Sequence, residues 1–235
     1  MVNQLAVITG ASKGIGKALA FKLAQKGFNL ALCSRNIKDL EVVKLDLVNK
    51  YKINVFIKQV NVSQKKEVEN FVKDILELND SIEILINNAG VFIPGEIHRE
   101  EDGVMEEVMQ TNLYSAYYLT RGLVHQMIEN KRGHIFNMSS VAGLEAYPNG
   151  GSYCISKFAL TGFSKVLREE LKDKGIRVTT VYPGATLTSS WEGVDIPEER
   201  FMTAEDIAEA MYAAYSLSDR TVLEELILRP QLGDI

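Results

Sequence analysis

The chain has 235 residues, a length that suits one domain with a sizeable core. Its composition, 46% hydrophobic and 24% charged residues, is typical of a soluble globular protein. The net charge of −5 argues against a nucleic-acid partner, which usually requires a basic face, and no apolar run approaches the roughly 18 residues that span a bilayer.

The first residues and the cysteines indicate a cellular compartment. Met1 to Gln4 lacks the charged start of a signal peptide, and the apolar stretch that follows is interrupted at Gly10. Cys33 and Cys154 lie in unrelated segments, which suggests reduced thiols and not a disulfide framework. We therefore expect a cytoplasmic protein.

Short apolar runs alternate with segments of helical periodicity along the whole chain. The predicted strands are 5–8, 29–33, 54–60, 82–86, 133–138, 176–181 and 223–228. The predicted helices are 14–26, 39–50, 67–78, 104–130, 152–174 and 204–217. Continuous apolar strands separated by helices predict a parallel sheet covered on both faces. We expect an α/β fold, a doubly wound parallel sheet of Rossmann type, with residues 1–235 as a single domain.

The least regular segment, residues 183–202, follows the sixth predicted strand. Open α/β sheets bind ligands at the carboxyl ends of their strands. This segment is therefore a candidate lid, and its short length leaves the size of a substrate open.

A glycine-rich segment follows the first predicted strand. Gly10, Gly14 and Gly16 lie at a strand-to-helix junction, where backbone N–H groups and the helix N-terminus face an anion. Glycine also permits close approach of a pyrophosphate group. The spacing G-x-x-x-G-x-G differs from the G-x-G-x-x-G fingerprint. The alternative that this segment is only a structural turn therefore stays open. The position between the first strand and the first helix favours a dinucleotide.

Two cations lie beside this glycine segment. Arg35 follows the second predicted strand, where NAD-binding proteins have an acidic residue and where an arginine suits a 2′-phosphate. Lys13 lies within the glycine segment, and an arginine can bind phosphate through two hydrogen bonds. Each cation alone would be an ordinary surface residue, but their joint placement favours NADPH.

Tyr153 and Lys157 are four residues apart and share one face of a predicted helix. A free phenol titrates near pH ~10, and a nearby ammonium lowers that pKa. Ser140, at a strand end, would hydrogen-bond a substrate oxygen on which negative charge develops. The Tyr–Lys spacing alone is usually an exposed helix pair. Together with Ser140 and the glycine segment it indicates hydride transfer to a carbonyl.

Other polar positions give weaker signals. The segment 87–90 closes the fourth strand and either lines a cofactor groove or forms only a turn. Asn112 lies within an apolar helix, where asparagine is unfavourable, so a local partner should justify it. Four aromatic residues are expected in the core or in a subunit interface: Tyr114, Tyr117, Tyr118 and Phe163. The three histidines, which show no metal-ligand spacing, are His98, His125 and His134.

Together these residues resemble the short-chain dehydrogenase/reductase superfamily over nearly the whole chain. Thr9 to Gly16 is similar to the family's TGxxxGxG motif, and Asn87 to Gly90 to its NNAG motif. Pro183-Gly184 with Thr188 matches the segment that contacts the nicotinamide carboxamide. The family's catalytic tetrad corresponds to Asn112, Ser140, Tyr153 and Lys157.

The resemblance implies a role for each of these residues. Tyr153 would be the general acid in reduction, and Ser140 would polarise the carbonyl group. Lys157 would lower the Tyr153 pKa and hold the cofactor ribose, while Asn112 would support a water in a proton relay. The residues expected at NADPH are Gly10, Ser12, Lys13, Gly14, Ile15, Gly16, Arg35, Asn61, Val62, Asn88, Ala89, Gly90, Tyr153, Lys157, Pro183, Gly184, Thr186 and Thr188.

Two positions depart from the family pattern. Asn61-Val62 replaces the usual Asp-Val after the third strand, although an amide oxygen can still meet the adenine amino group. Thr186 replaces the usual Ile or Val near the carboxamide, where the contact is mainly with the backbone.

Within the family, two groups look closest. The general pattern is similar to 3-oxoacyl-[acyl-carrier-protein] reductases, and residues 190–195 and 221–235 are similar to bacterial sepiapterin reductases. We expect an NADPH-dependent reductase of a sepiapterin- or diketone-like carbonyl, with 3-oxoacyl reduction as the alternative. A catalytically silent NADPH-binding regulator is the alternative of another class, because fold alone does not establish catalysis. A P-loop NTPase is disfavoured because Ala18 follows Lys17.

The expected partners are a small carbonyl substrate and further copies of the chain. The apolar helices 104–130 and 152–174 carry more hydrophobic surface than one sheet face needs. The last strand, 223–228, would lie at a sheet edge, which proteins tend to cover. Relatives pair through these elements, so we expect a homodimer or homotetramer, with no nucleic-acid or membrane partner.

Overall fold

The computed structural model describes residues 4–191 and 193–235. Met1 to Asn3, to which the expectation of no signal peptide refers, lie outside the described residues. Glu192 of the candidate lid lies outside them as well. Among the described residues, no helix has the length and apolar character needed to cross a membrane.

Within the described residues, seven strands and seven α-helices follow one another, with one helix between successive strands except for two between the fourth and fifth. The strands are β1 (Gln4–Thr9), β2 (Asn29–Ser34), β3 (Val55–Gln59), β4 (Ser81–Asn87), β5 (Gly133–Met138), β6 (Ile176–Pro183) and β7 (Glu225–Leu228). The helices are α1 (Gly14–Gln25), α2 (Ile37–Tyr51), α3 (Lys65–Glu77), α4 (Val104–Met109), α5 (Ser115–Asn130), α6 (Gly151–Leu171) and α7 (Ala204–Tyr215). Short 3-10 turns cover Val141–Gly143, Lys172–Lys174, Ser189–Trp191 and Glu198–Arg200.

The strands form one parallel sheet in the order β3-β2-β1-β4-β5-β6-β7. The chain therefore winds in one direction from β1 to β3 and in the other direction from β4 to β7. A crevice opens outside the carboxyl ends of β1 and β4, where the winding reverses. This arrangement confirms the predicted α/β fold of Rossmann type.

Alternate residues of each strand pack on opposite faces of the sheet. In β1, Ala6 and Ile8 belong to a buried cluster with residues of α1, α2 and α7. Leu5 and Val7 belong to a second buried cluster with residues of α3, α5 and α6. Because both faces are covered, the strands appear in the sequence as continuous apolar runs.

The predicted helix 104–130 is interrupted, which corrects the prediction of one continuous helix. A π-helical turn, Gln110–Tyr114, separates α4 from α5. It turns Asn112 inward, where the side chain is buried and pairs with the backbone of Val91 and with Ser156. Both flanking segments are α-helical, so the sequence pattern indicated helix throughout and did not show the π turn between them.

One further predicted boundary, the end of α6, was also wrong, and two others differ by two residues. α6 ends at Leu171, three residues early, and its last predicted turn is a 3-10 turn that stops at Gly175 with φ of 76°. α7 ends at Tyr215 and β7 begins at Glu225, each two residues inside the predicted bound. The remaining predicted elements agree with the structure to within two residues at each end.

The candidate lid is tied at its base. Thr186 and Met202 form an isolated parallel bridge. The Leu187 N–H donates to the Met202 carbonyl at 2.9 Å, and the Met202 N–H donates to the Ala185 carbonyl at 3.0 Å. Residues 187–201 therefore form a loop whose two ends are fixed next to the carboxyl end of β6.

Candidate active site

The glycine segment after β1 has a geometry that requires glycine. Gly10 and Gly14 have φ values of 66° and 53°, in the left-handed region that other residues rarely adopt. A Cβ at Gly16 would lie 2.6 Å from Nδ2 of Asn88, too close for any real contact. The first turn of α1 therefore lies directly against the ends of β1 and β4. Its backbone N–H groups lie where the sequence predicts an anion-binding end, and the binding itself stays a prediction.

Thr9 and Asn88 fasten these two strand ends together. The Asn88 side-chain amide donates to the carbonyls of Thr9 at 2.8 Å and Gly10 at 3.2 Å. The Thr9 hydroxyl accepts from the N–H groups of Asn88 at 3.0 Å and Ala89 at 2.9 Å. The Asn88 amide thus holds the glycine segment in place. Thr9 was not among the predicted site residues, although its position directly before the first glycine of the segment could have indicated its role.

Ser140, Tyr153 and Lys157 meet at the carboxyl ends of β5 and β6. Ser140 follows β5, and its hydroxyl accepts from the Ala142 N–H at 3.1 Å, which starts a 3-10 turn. Tyr153 lies in the first turn of α6, and its hydroxyl hydrogen-bonds with Ser140. Lys157 lies one turn later, 5.7 Å from the Tyr153 ring centre. The structure therefore brings together the three predicted catalytic side chains.

Burial opposes the charged forms of Tyr153 and Lys157. It raises the Tyr153 pKa, while the hydrogen bond with Ser140 acts in the lowering direction. It lowers the Lys157 pKa to about 8. The Lys157 ammonium donates to the Met138 carbonyl at 2.7 Å. The expectation that Lys157 lowers the Tyr153 pKa stays a prediction, set against the raising effect of burial.

Asn112 and Gly90 border Lys157. The Asn112 side-chain oxygen accepts from the Val91 N–H at 2.8 Å, and its nitrogen donates to the Val91 carbonyl at 3.0 Å and to Ser156 at 2.9 Å. A Cβ at Gly90 would lie 3.3 Å from the Asn112 oxygen and 3.5 Å from the Lys157 nitrogen. Asn112 therefore holds the segment after β4 against the catalytic helix. Its support of a water stays a prediction.

Two aromatic residues that the sequence did not suggest lie beside Tyr153. The Phe92 ring packs edge-on against Tyr153 with centroids 4.9 Å apart, and 47% of the residue is exposed. Tyr147 is 42% exposed, and its pKa is raised by burial of the hydroxyl and by the neighbouring Tyr153 and Cys154. These rings give the open side of the site an apolar, aromatic surface.

Lys13 and Arg35 both have exposed side chains. Lys13 directly precedes α1 and Arg35 directly follows β2. Within the described part of the chain, neither forms an ion pair, so both charges are available to an anion. Ser12 and Ile15 are half-buried between them in the glycine segment.

Asn61 is engaged within its own loop. Its side-chain oxygen accepts from the Ser63 N–H at 3.2 Å and from the Ser63 hydroxyl at 2.9 Å. This oxygen is the atom predicted to meet an adenine amino group, and it is already paired with Ser63. Val62, the next residue, is buried in the core.

The segment after β6 packs against the glycine segment. A Cβ at Gly14 would lie 3.1 Å from the Thr188 methyl group. The Thr186 hydroxyl donates to the Gly184 carbonyl at 3.1 Å, and Gly184 N–H donates to Leu228 at 2.8 Å. The Pro183 carbonyl lies 3.5 Å from the Ser140 hydroxyl. The predicted nicotinamide segment therefore borders both Ser140 and α1.

The histidines and cysteines lie away from this constellation or within the core. His134 is buried in β5, stacks on Phe136 at 3.9 Å and pairs with Thr179 at 2.7 Å. Both cysteines are free and buried, as expected for reduced thiols, and burial raises the Cys33 pKa to about 12.

Comparison with known proteins gives a consistent set of relatives. The model of the short chain dehydrogenase family matches residues 4–198. The chain is 35% identical to sepiapterin reductase of Chlorobaculum tepidum, over 100% of this chain and 99% of the relative. It is 33% identical to 3-oxoacyl-[acyl-carrier-protein] reductase of Haemophilus influenzae, over 93% and 92%. The structure of an alcohol dehydrogenase from the archaeon Thermococcus sibiricus, complexed with 5-hydroxy-NADP, superposes with a TM-score of 0.91 at 28% identity, covering 99% and 98%.

Proposed function

The chain belongs to the short-chain dehydrogenase family, and from this premise we propose that it is an NADPH-dependent reductase of a small carbonyl compound. The observation that carries the proposal is the group of Ser140, Tyr153 and Lys157 at the mouth of the crevice. The Tyr153 phenol is protonated at neutral pH, as a free phenol already is and as the raised pKa reinforces, and a proton donor requires that state.

The residues of the crevice fit NADPH. Gly10 and Gly14 adopt backbone conformations that bring N–H groups towards a pyrophosphate. A Cβ at Gly90 would lie only 3.3 Å from the Asn112 side-chain oxygen, so glycine relieves a tight contact on this side of the site. Lys13 and Arg35 are two exposed cations suited to a 2′-phosphate. The NADP-type ligand of the Thermococcus sibiricus enzyme supports the same choice.

Tyr153, Ser140 and Lys157 each have a separate role in the reduction. Bound NADPH supplies the hydride that the carbonyl carbon accepts. Tyr153 donates its proton to the carbonyl oxygen as negative charge develops there. Ser140 donates a hydrogen bond to the same oxygen, and the Lys157 ammonium stabilises the phenolate left on Tyr153. The carbonyl thus gains one hydride and one proton and becomes an alcohol.

We propose a sepiapterin- or diketone-like ketone as the substrate. The exposed rings of Phe92 and Tyr147 beside Tyr153 suit a flat, largely apolar molecule. The relative that covers the whole chain at 35% identity is a sepiapterin reductase. The relative at 33% identity supports 3-oxoacyl thioesters as the alternative substrate class.

The experiment is a substrate screen that follows NADPH consumption with sepiapterin, small diketones and acetoacetyl thioesters. We expect turnover of sepiapterin or a diketone, with higher kcat/KM than for the thioesters. Preferred turnover of the thioesters would assign the alternative substrate class. Tight NADPH binding without turnover of any of these carbonyls would favour a regulatory protein instead.

The cofactor is tested separately by replacing Arg35. Losing a charge-assisted contact to the 2′-phosphate removes about 1.5–3 kcal/mol, or roughly 10- to 100-fold in affinity. We expect wild type to bind NADPH more tightly than NADH, and Arg35→Asp to invert or erase that preference. Arg99→Asp is the matched control, because Arg99 lies outside the crevice and pairs with Glu96. Equal affinity of wild type for NADH and NADPH would contradict the assignment.

A further inference from the structure

The loop between β4 and α4 crosses the start of the catalytic helix α6. Gly95 and Gly150 form an isolated parallel bridge, and the Gly95 N–H donates to the Asn149 carbonyl at 3.0 Å. Upstream in the same loop, Phe92 packs on the Tyr153 ring. The loop is thus attached to α6 at the end that carries the proton donor.

Glu100 of this loop caps α6 from outside the helix. Its carboxylate accepts from the Ser152 N–H at 2.8 Å and from the Ser152 hydroxyl. α6 has no capping side chain of its own, since Gly150 is at the N-cap and the first turn has no acidic residue. A carboxylate at this end satisfies a free N–H group and interacts favourably with the helix dipole.

Glycines on both segments make room for the Glu100 carboxylate. A Cβ at Gly151 would overlap the carboxylate oxygen, and Gly151 also has a φ of 25°. A Cβ at Gly95 would lie 2.7 Å from Cγ of Glu100. Any side chain at Gly151 would therefore displace Glu100 from the helix end.

We propose that Glu100 is a positioning residue for Tyr153, acting through the first turn of α6. Ser152, which Glu100 holds by two hydrogen bonds, directly precedes Tyr153 in the chain. Catalytic groups displaced by about 1 Å lose on the order of 100-fold in rate, so fixing this turn matters for proton transfer. The kinetic part of the inference rests on the proposed reductase function.

The kinetic test compares three variants with wild type. Glu100→Ala should lower kcat about 10- to 100-fold while NADPH affinity changes less than about twofold, because the cofactor site is untouched. Glu100→Gln keeps an acceptor for the Ser152 N–H and should recover kcat to within about fivefold of wild type. Glu101→Ala is the matched control, an exposed neighbouring acid, and should behave as wild type. A kcat for Glu100→Ala within about twofold of wild type would overturn the proposal.

A second readout needs neither substrate nor cofactor. Hydrogen exchange of a peptide spanning residues 150–157 should be faster in Glu100→Ala and in Gly151→Ala than in wild type. Glu101→Ala, the exposed neighbouring acid, is the control here as well and should leave the exchange of this peptide unchanged. If the wild-type protein reduces no ketone, the proposed reductase function is wrong. The hydrogen-exchange rate of this peptide then tests the role of Glu100 by itself. Unchanged exchange in Glu100→Ala overturns the proposal in either case.

Discussion

Burial disfavours the charged forms of both Tyr153 and Lys157. It therefore raises the Tyr153 pKa and lowers the Lys157 pKa. Tyr153 keeps its proton to a higher pH than a free phenol, which suits a donor. Lys157 has a pKa of about 8, so it is an ammonium at neutral pH and loses its charge slightly above it. The working state of this pair is therefore the doubly protonated one.

The pH dependence of reduction should follow Lys157. A base is protonated below its pKa, so activity is present on the acid side and falls as the pH rises through about 8. The measurement is kcat for carbonyl reduction between about pH 6 and pH 10. Lys157→Arg keeps a cation with a pKa above ~12, so its residual activity should lack this decline. A wild-type profile that stays flat to about pH 10 would contradict the assignment.

The sequence predicted the grouping of Ser140, Tyr153 and Lys157 but not the burial that raises the Tyr153 pKa and lowers the Lys157 pKa. Ser140, Tyr153 and Lys157 were recognised from their spacing and from their positions after predicted strands. The direction of each pKa shift depends on burial, and burial depends on which helix and which loop cover the site. Phe92 and Tyr147 escaped prediction for the same reason, since aromatic residues in loops have no distinctive spacing.

At the scale of elements, the π-helical turn between α4 and α5 connects the helix layer to the site. Its extra residue directs Asn112 inward, where the side-chain amide forms three hydrogen bonds. Two of these bonds satisfy the N–H and carbonyl groups of Val91, which follows the NNAG segment. One side chain thus fixes the segment that borders Lys157.

Asn112→Ala should destabilise the fold as well as impair activity. The substitution leaves the Val91 N–H and carbonyl without partners, which costs about 1–3 kcal/mol for each buried group. We expect the free energy of unfolding to fall by about 2–4 kcal/mol, measured by urea denaturation. Asn130→Ala, at the exposed end of α5, is the control and should change stability by less than about 0.5 kcal/mol. Equal effects of the two substitutions would contradict this role.

Elements with strong periodicity were predictable, and contacts between distant segments were not. The inner strands were predictable because burial on both faces favours continuous apolar runs, and the partly exposed edge strands β3 and β7 were recognised from shorter apolar runs. The π turn was missed because helical segments flank it on both sides, although a buried asparagine was a signal. The Glu100–Ser152 contact joins residues 52 positions apart, so it follows only from the topology. The interpretation of residues 1–235 as one domain, and the cytoplasmic location, stay predictions.

At the scale of the molecule, helix α6 presents an apolar stripe to solvent. Ile155, Phe158 and Val166 are 43%, 44% and 55% exposed, and Gly162 lies between them with open space around it. The neighbouring helical layer adds Tyr117, which packs on Phe163 of α6 at 5.9 Å. A continuous apolar surface of this kind is typical of a subunit interface.

We therefore predict a homodimer or homotetramer that closes through α6. Phe158→Glu places a charge in the centre of the stripe and should shift the protein to monomers in sedimentation velocity at micromolar concentration. Leu45→Glu, which alters a more exposed apolar residue of α2, should leave the assembly unchanged. A wild-type protein that sediments as a monomer would contradict this prediction and leave the stripe for another partner.

The central claim is that Tyr153 donates the proton in an NADPH-dependent carbonyl reduction, and one comparison tests it most directly. NADPH consumption and NADPH affinity are measured for wild type, Tyr153→Phe and Tyr147→Phe with the best carbonyl from the screen. Loss of the phenol at position 153 should lower kcat about 100- to 10,000-fold, with cofactor affinity within about twofold of wild type. Tyr147→Phe, which removes the neighbouring hydroxyl, should retain most of the activity. A Tyr153→Phe enzyme with near-wild-type kcat would contradict the account and remove Tyr153 from the mechanism.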